Sequence, residues 1–142
     1  MNPREVLNRR GGIDRAAAQL DEAWSAVIAR IRVPELPLIL GGRSSGARVA
    51  CRTALSLGAA GVLALAFPLH PPGKPDKSRA AELPTEVPTL VLNGDRDPFG
   101  LPTPSGTVEV ITRPGATHDL RTGVRVTAEL AVDWLRAHGW AA

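Results

Sequence analysis

Cysteine is almost missing from this chain: Cys51 is the single one in 142 residues, so no internal disulfide can form. Lysine is nearly as scarce, limited to Lys74 and Lys77, and arginine carries most of the positive charge behind a net +3. The cations are scattered, clustering only at Arg9/Arg10 and from Lys74 to Arg79, and aromatics make up just 4% of residues. A nucleic-acid reader needs a longer basic stripe or interleaved aromatic rings, so no nucleic-acid partner is expected. Long apolar runs are missing too. GAAGVLALAF, residues 58–67, is bounded by glycine and soon meets Pro68, which excludes a membrane-spanning helix there. The opening MNPREVLNRRGG has no apolar segment after its charges and does not read as a secretory signal. Together with the lone cysteine, this predicts a cytoplasmic protein. His70, His118 and His138 have no metal-ligand spacing, and neither metal nor cofactor is expected.

What is present fits one soluble globular domain over residues 1–142, with 44% hydrophobic and 22% charged residues and with residues 1–12 irregular. Residues 13–32 place Ile13, Ala17, Leu20, Trp24, Val27 or Ile28, and Ile31 at helical spacing, which predicts an amphipathic helix. VPELP then breaks the chain. LILGG at 38–42 lacks polar alternation, as a strand buried on both faces of a parallel sheet does. A small-residue helix follows from Ser45 to Leu57, with Gly58 as its terminator. Further strands are predicted at 61–67, 88–93 and 107–112, and a closing helix at 124–138 with Val126, Leu130, Trp134 and Ala137 inward. Strands alternating with helical patterns imply βαβ units, hence an α/β fold with a parallel sheet of about four strands and flanking helices in three αβα layers. The Pro/Gly-rich loops at 68–75 and 94–106 then share the carboxyl edge of the sheet, where open α/β sheets bind their ligands.

At that edge Gly42-Arg43-Ser44-Ser45-Gly46 fits G-x-S-x-G between a predicted strand and a predicted helix. The turn of a nucleophile elbow is so tight that the flanking positions must be small, and the serine is held strained with its hydroxyl exposed. The pentapeptide alone is a weak signal. A serine hydroxyl also needs a base, usually histidine, and a carboxylate to orient that base. Asp97 falls just beyond the third strand and His118 just beyond the fourth, in the chain order serine, acid, histidine. Each residue also has a plainer reading. Asp97 in DPFG fits the start of a type I turn, Asp95 competes for the acid role, and His118 fits a solvated loop histidine. His70 precedes the acid in sequence and reads as loop or pocket lining, with Arg43 and Phe99 as further pocket candidates. GGRSSGAR could instead cradle a phosphate with Arg43, but it lacks the Walker lysine and the G-x-G-x-x-G spacing and leaves Asp97 and His118 unexplained.

Four segments, LILGGRSSGARVA, FPLHPPGKPDKSR, VLNGDRDPFG and PGATHDL, resemble successive signatures of the α/β-hydrolase superfamily, in particular its KANL/Tex-type group related to dienelactone hydrolases. The likeness covers roughly residues 20–138. It implies an esterase-like serine hydrolase acting on a small ester-like substrate, with Ser44 as nucleophile, Asp97 as acid, His118 as base and the Ser45 N–H as one oxyanion donor. The chain departs from that pattern before Leu38, where nothing reads as a strand and NRRGGID is no HGG-type loop. It therefore reads as the nucleophile-elbow half of the fold. Two consequences are expected: an open edge on the strand at 38–41, prone to pair with a second copy or a partner chain, and a missing second oxyanion donor. A truncated or non-catalytic, hydrolase-like interaction module is the alternative.

Overall fold

The structure, a computed structural model, describes the backbone of residues 3–142 and the side chains of residues 15–142. The chain divides between Val33 and Pro34, within VPELP, into two compact units. The first holds helix α1, Pro3–Ile31. Helix thus replaces the irregular stretch expected before residue 13 and runs through Gly11-Gly12, a pair unfavourable for helix by about 1 kcal/mol per residue. Ile13, the first position of the predicted stripe, lies outside the described side chains.

The second unit is a four-stranded, wholly parallel sheet: β1 Ile39–Arg43, β2 Gly61–Leu65, β3 Thr89–Gly94 and β4 Val108–Arg113, in spatial order β1-β2-β3-β4. β1, β2 and β3 follow short aliphatic segments closed off by glycine, proline or polar residues, whereas the edge strand β4 mixes apolar residues with exposed Glu109 and Thr112. β3 is buried along its whole length, as expected of a central strand covered on both faces. Its Leu90 and Leu92 pack with Trp134 of helix α3, Val124–Ala137, and with Leu63 and Leu65 of β2. The alternate residues Val62, Ala64 and Val91, on the other face by the two-residue period, are also fully buried.

Helix α2, Ser45–Thr53, connects β1 to β2 and lies against both. Regular helix stops at Thr53, short of the expected Leu57, and the chain continues as turns to Gly58, the expected terminator. Gly58 adopts φ 65°, Ala59 N–H reaches Ala54 O and Gly58 N–H reaches Leu55 O, the two bonds of a Schellman cap. The β2–β3 connection, residues 66–88, contains only a short 3₁₀ turn at Ala80–Glu82, and the β3–β4 connection contains no helix. In α3 the buried positions are Thr127 and Trp134, with Leu130 half-buried. Val126 and Ala137, assigned inward from their spacing, are exposed. At the helix start Thr127 instead turns inward, donating to Gly123 O and accepting from Arg113 Nε.

Candidate active site

All four strands run the same way, so the segments leaving β1, β2, β3 and β4 converge on one edge of the sheet. Ser44 follows β1 at once, with φ 56° and ψ −119°, a left-handed backbone that a non-glycine residue adopts only under strain. Gly42 makes the turn possible, since a Cβ there would overlap the backbone of Gly46 and Ala47. Gly46 differs: among the described residues nothing lies within 4 Å of a Cβ built on it. Ser44 is also the N-cap of α2, a position where serine usually accepts a bond from a first-turn N–H. It makes no such bond.

Its hydroxyl lies instead 2.8 Å from His118 Nε2. The other ring nitrogen, Nδ1, lies 2.8 Å from Asp97 Oδ2. An ionised carboxylate can only accept, so Nδ1 carries the proton, Nε2 of the neutral ring accepts, and the Ser44 O–H donates. Asp97 is nearly sealed, its side chain 1% exposed against 20% for His118. Its second oxygen, Oδ1, takes the Phe99 N–H at 2.8 Å, so both carboxylate oxygens are engaged. The Phe99 ring stacks on the His118 imidazole with centroids 4.1 Å apart. One residue thus steadies the acid through its backbone and the imidazole through its ring.

The neighbouring candidates take supporting places. Asp95 does not reach His118; its carboxylate accepts the Gly115 N–H at 2.8 Å and ties the two loops together. Gly94 is needed where they cross, because a Cβ there would overlap the Ala116 carbonyl. Arg43 donates to Asp119 O at 3.0 Å and holds the segment just after His118. The Asp119 carboxyl is held below the usual carboxylate range, first by the Arg121 N–H and then by the Thr117 hydroxyl. His70 is not brought to Ser44. Its Nδ1 pairs with Pro71 O, its N–H bonds Phe99 O, and its Nε2 lies against Gly100, so it backs the loop that carries Asp97. Ser45 opens α2, and its N–H is therefore one of the first-turn donors that no carbonyl within the helix can accept.

Two features carry little or no local signal in the sequence. Glu82 accepts two bonds from Arg48 Nε, at 3.0 and 3.1 Å, and one from Arg52 at 2.9 Å, pinning the 3₁₀ turn to α2. Burial, followed by the Glu82 charge, pushes the neighbouring Cys51 thiol up to about 12, so it is an inert buried group. The second is Asn93, a polar side chain fully buried at the carboxyl end of β3. Its only signal in the sequence is an amide closing an apolar strand. A cavity of about 540 Å³ lies between the loops at 69–85 and 102–106, lined by Leu69, Ser78, Leu83, Thr103 and others. None of Ser44, Asp97 and His118 lines it, so the hydrogen-bonded chain and not this cavity marks the candidate site. Among the described residues no three His, Cys, Asp or Glu side chains gather as a metal site, and no helix is long and apolar enough to cross a membrane.

A wholly parallel sheet with a strained serine after one strand and an acid and a histidine after two others is an arrangement typical of α/β hydrolases. The chain belongs to that family: the family model for the alpha/beta hydrolase domain matches residues 1–137. Among solved structures it is similar to XC6422 from Xanthomonas campestris, described as an α/β serine hydrolase without lid, with 21% identity and a TM-score of 0.59 over 82% of this chain and 54% of that one. It is similar to an α/β serine hydrolase homologue from Coxiella burnetii, with 25% identity and a TM-score of 0.54 over 70% of this chain and 49% of that one. A third similar structure is esterase PE8, with 23% identity and a TM-score of 0.53 over 88% of this chain and 63% of that one. The chain thus spans about half the length of the first two. No curated protein matches it significantly.

Proposed function

We propose that this protein is a serine hydrolase cleaving an ester or related acyl bond of a small molecule, with Ser44 as nucleophile, His118 as general base and Asp97 as the acid that orients it. The observation that carries the reading is the unbroken chain from Ser44 Oγ through His118 to Asp97, both links 2.8 Å, starting from a strained serine. His118 Nε2 takes the hydroxyl proton as Oγ attacks the acyl carbon, and the carbonyl π electrons move to its oxygen. The Ser45 N–H is the donor assigned to that oxyanion. Collapse expels the alcohol, which takes the proton from His118, and leaves an acyl-serine. Water then attacks with His118 again as base, releasing the acid and restoring Ser44. Within the superfamily, the segments around Ser44, His70, Asp97 and His118 favour the KANL/Tex-type, dienelactone-hydrolase-related group. The single cysteine supports a cytoplasmic setting.

A second reading, a non-catalytic hydrolase-like interaction module, is favoured by one observation. Among the described residues β1 pairs with β2 alone, leaving its other edge open to a strand from a second copy or a partner chain. A site with one oxyanion donor in place of two forfeits about 2.7–4 kcal/mol of transition-state stabilisation. The two readings separate on labelling of the purified protein by a fluorophosphonate serine-hydrolase probe. Labelling abolished by both Ser44→Ala and His118→Ala supports the hydrolase. A folded protein that takes up no probe supports the interaction module.

A further inference from the structure

We infer that Asn93 is a positioning residue whose buried amide locks the loop carrying Asp97 to the strand end that also holds the backbone of Ser44. The inference rests on the reading of Ser44, His118 and Asp97 given above. Asn93 lies at the carboxyl end of β3 and is completely buried. Its Oδ1 accepts the Phe67 N–H at 3.0 Å, while Nδ2 donates to Phe67 O at 3.4 Å and to Gly100 O at 3.2 Å. The acceptor and both donor hydrogens therefore have partners. The reverse amide orientation would set Oδ1 against two carbonyl oxygens, so the network admits only this one.

The amide extends the sheet where its backbone ladder stops. Ala66 N–H still bonds Leu92 O at 2.8 Å, but Ala66 then turns with φ 49°. Phe67 finds its partner in the Asn93 side chain, which presents the acceptor and donor a continuing backbone would have offered. The remaining Nδ2 hydrogen closes the loop at Gly100. Within that loop Asp97 N–H bonds Gly94 O, Gly100 N–H bonds Asp97 O, and Phe99 N–H bonds the Asp97 carboxylate. On the other side, Leu65 O of β2 accepts the Ser44 N–H at 3.0 Å. Asn93 thus couples two frames that must keep a fixed separation, one carrying the serine and one carrying the acid. An apolar side chain of similar size would take the partner from three backbone groups, the buried N–H and C=O of Phe67 and the part-buried Gly100 O, and an aspartate would turn an oxygen toward two carbonyls.

The experiment compares Asn93→Ala and Asn93→Ser with Thr89→Val, which deletes a buried hydroxyl bonded to Val87 O at the opposite end of the same strand. Two quantities are read: the fluorophosphonate labelling rate, and the ring ¹⁵N resonances of His118, which report its hydrogen bond to Asp97 without requiring activity. Both Asn93 variants should label about a hundredfold more slowly, the loss that a displacement of roughly 1 Å produces, and should shift the His118 resonances. Thr89→Val should unfold more easily yet keep the wild-type rate and resonances. A folded Asn93 variant with both quantities unchanged overturns the inference, and so does equal damage from Thr89→Val. If Asn93→Ala does not fold, the milder Asn93→Ser decides. If the wild type takes up no probe, the hydrolase reading fails, and the resonances alone still judge Asn93.

Discussion

Replacing Ser44 by glycine should make a more stable protein than replacing it by alanine, the reverse of the order at an ordinary helix or strand position. Both substitutions remove the hydroxyl and its bond to His118, so that loss cancels in the comparison. Only glycine relieves the backbone, whose φ 56° and ψ −119° cost a residue with a Cβ about 1–3 kcal/mol. Against this, glycine adds unfolded-chain entropy worth about 0.4–1 kcal/mol. With mid-range values of about 2 and about 0.7 kcal/mol the difference left is about 1.3 kcal/mol in favour of Ser44→Gly, whereas glycine in a helix interior is worse than alanine by about 1 kcal/mol. Urea denaturation measures it: with equal slopes the two variants should differ by roughly 0.5–1 M in midpoint, glycine higher. Nor should the helix suffer, because the native serine provides no capping bond that either variant could lose. Alanine equal to or more stable than glycine would refute the argument that the elbow stores strain.

Two further outcomes bear on the acid and on the interior. Asp97→Asn should slow fluorophosphonate labelling by about 10⁴-fold, through the wrong imidazole tautomer, while Asp95→Asn should cost far less because its carboxylate bonds the Gly115 N–H. Equal losses would mean that His118 does not depend on Asp97. The Cys51 thiol, raised from 9.0 to about 12, stays neutral in the folded protein while the unfolded chain ionises near 9. Its contribution to stability is therefore complete below about pH 9 and drains away toward pH 12. Native protein at pH 8 should not react with a thiol reagent until urea unfolds it, and Cys51→Ala should flatten the alkaline decline in stability.

β2 and β3 were legible because they are aliphatic runs bounded by glycine, proline or polar residues, the pattern that burial on both faces demands. The edge strands β1 and β4, by contrast, are only partly buried, and β4 carries exposed Glu109 and Thr112. The start of α1 was not legible, since Gly11-Gly12 reads locally as a break while the helix runs through it. On α3 Val126 and Ala137 face outward despite their apolar spacing, because Thr127 finds hydrogen-bond partners inside, which spacing alone does not register. Glu82 gave no signal either. Its partners Arg48 and Arg52 lie at least 30 residues away, and nothing local distinguishes it from any surface acid.

What the sequence determined by itself was order and address: a serine between glycines after one strand, acids after another, a histidine after a third, all at one edge once the strands run parallel. Those are local properties, set by backbone preference and apolar spacing. Only the tertiary structure decided which groups meet. Asp95 and Asp97 are two residues apart in the same turn, yet one faces Gly115 and the other His118. The Ser44 hydroxyl bypasses the helix it caps and reaches a histidine 74 positions away. His70, the other imidazole at this edge, is turned toward Pro71 and Gly100. Such pairings depend on the angle at which each loop leaves its strand, and that angle is held by distant contacts, among them the bonds Asn93 makes to Phe67 and Gly100, which no local pattern encodes.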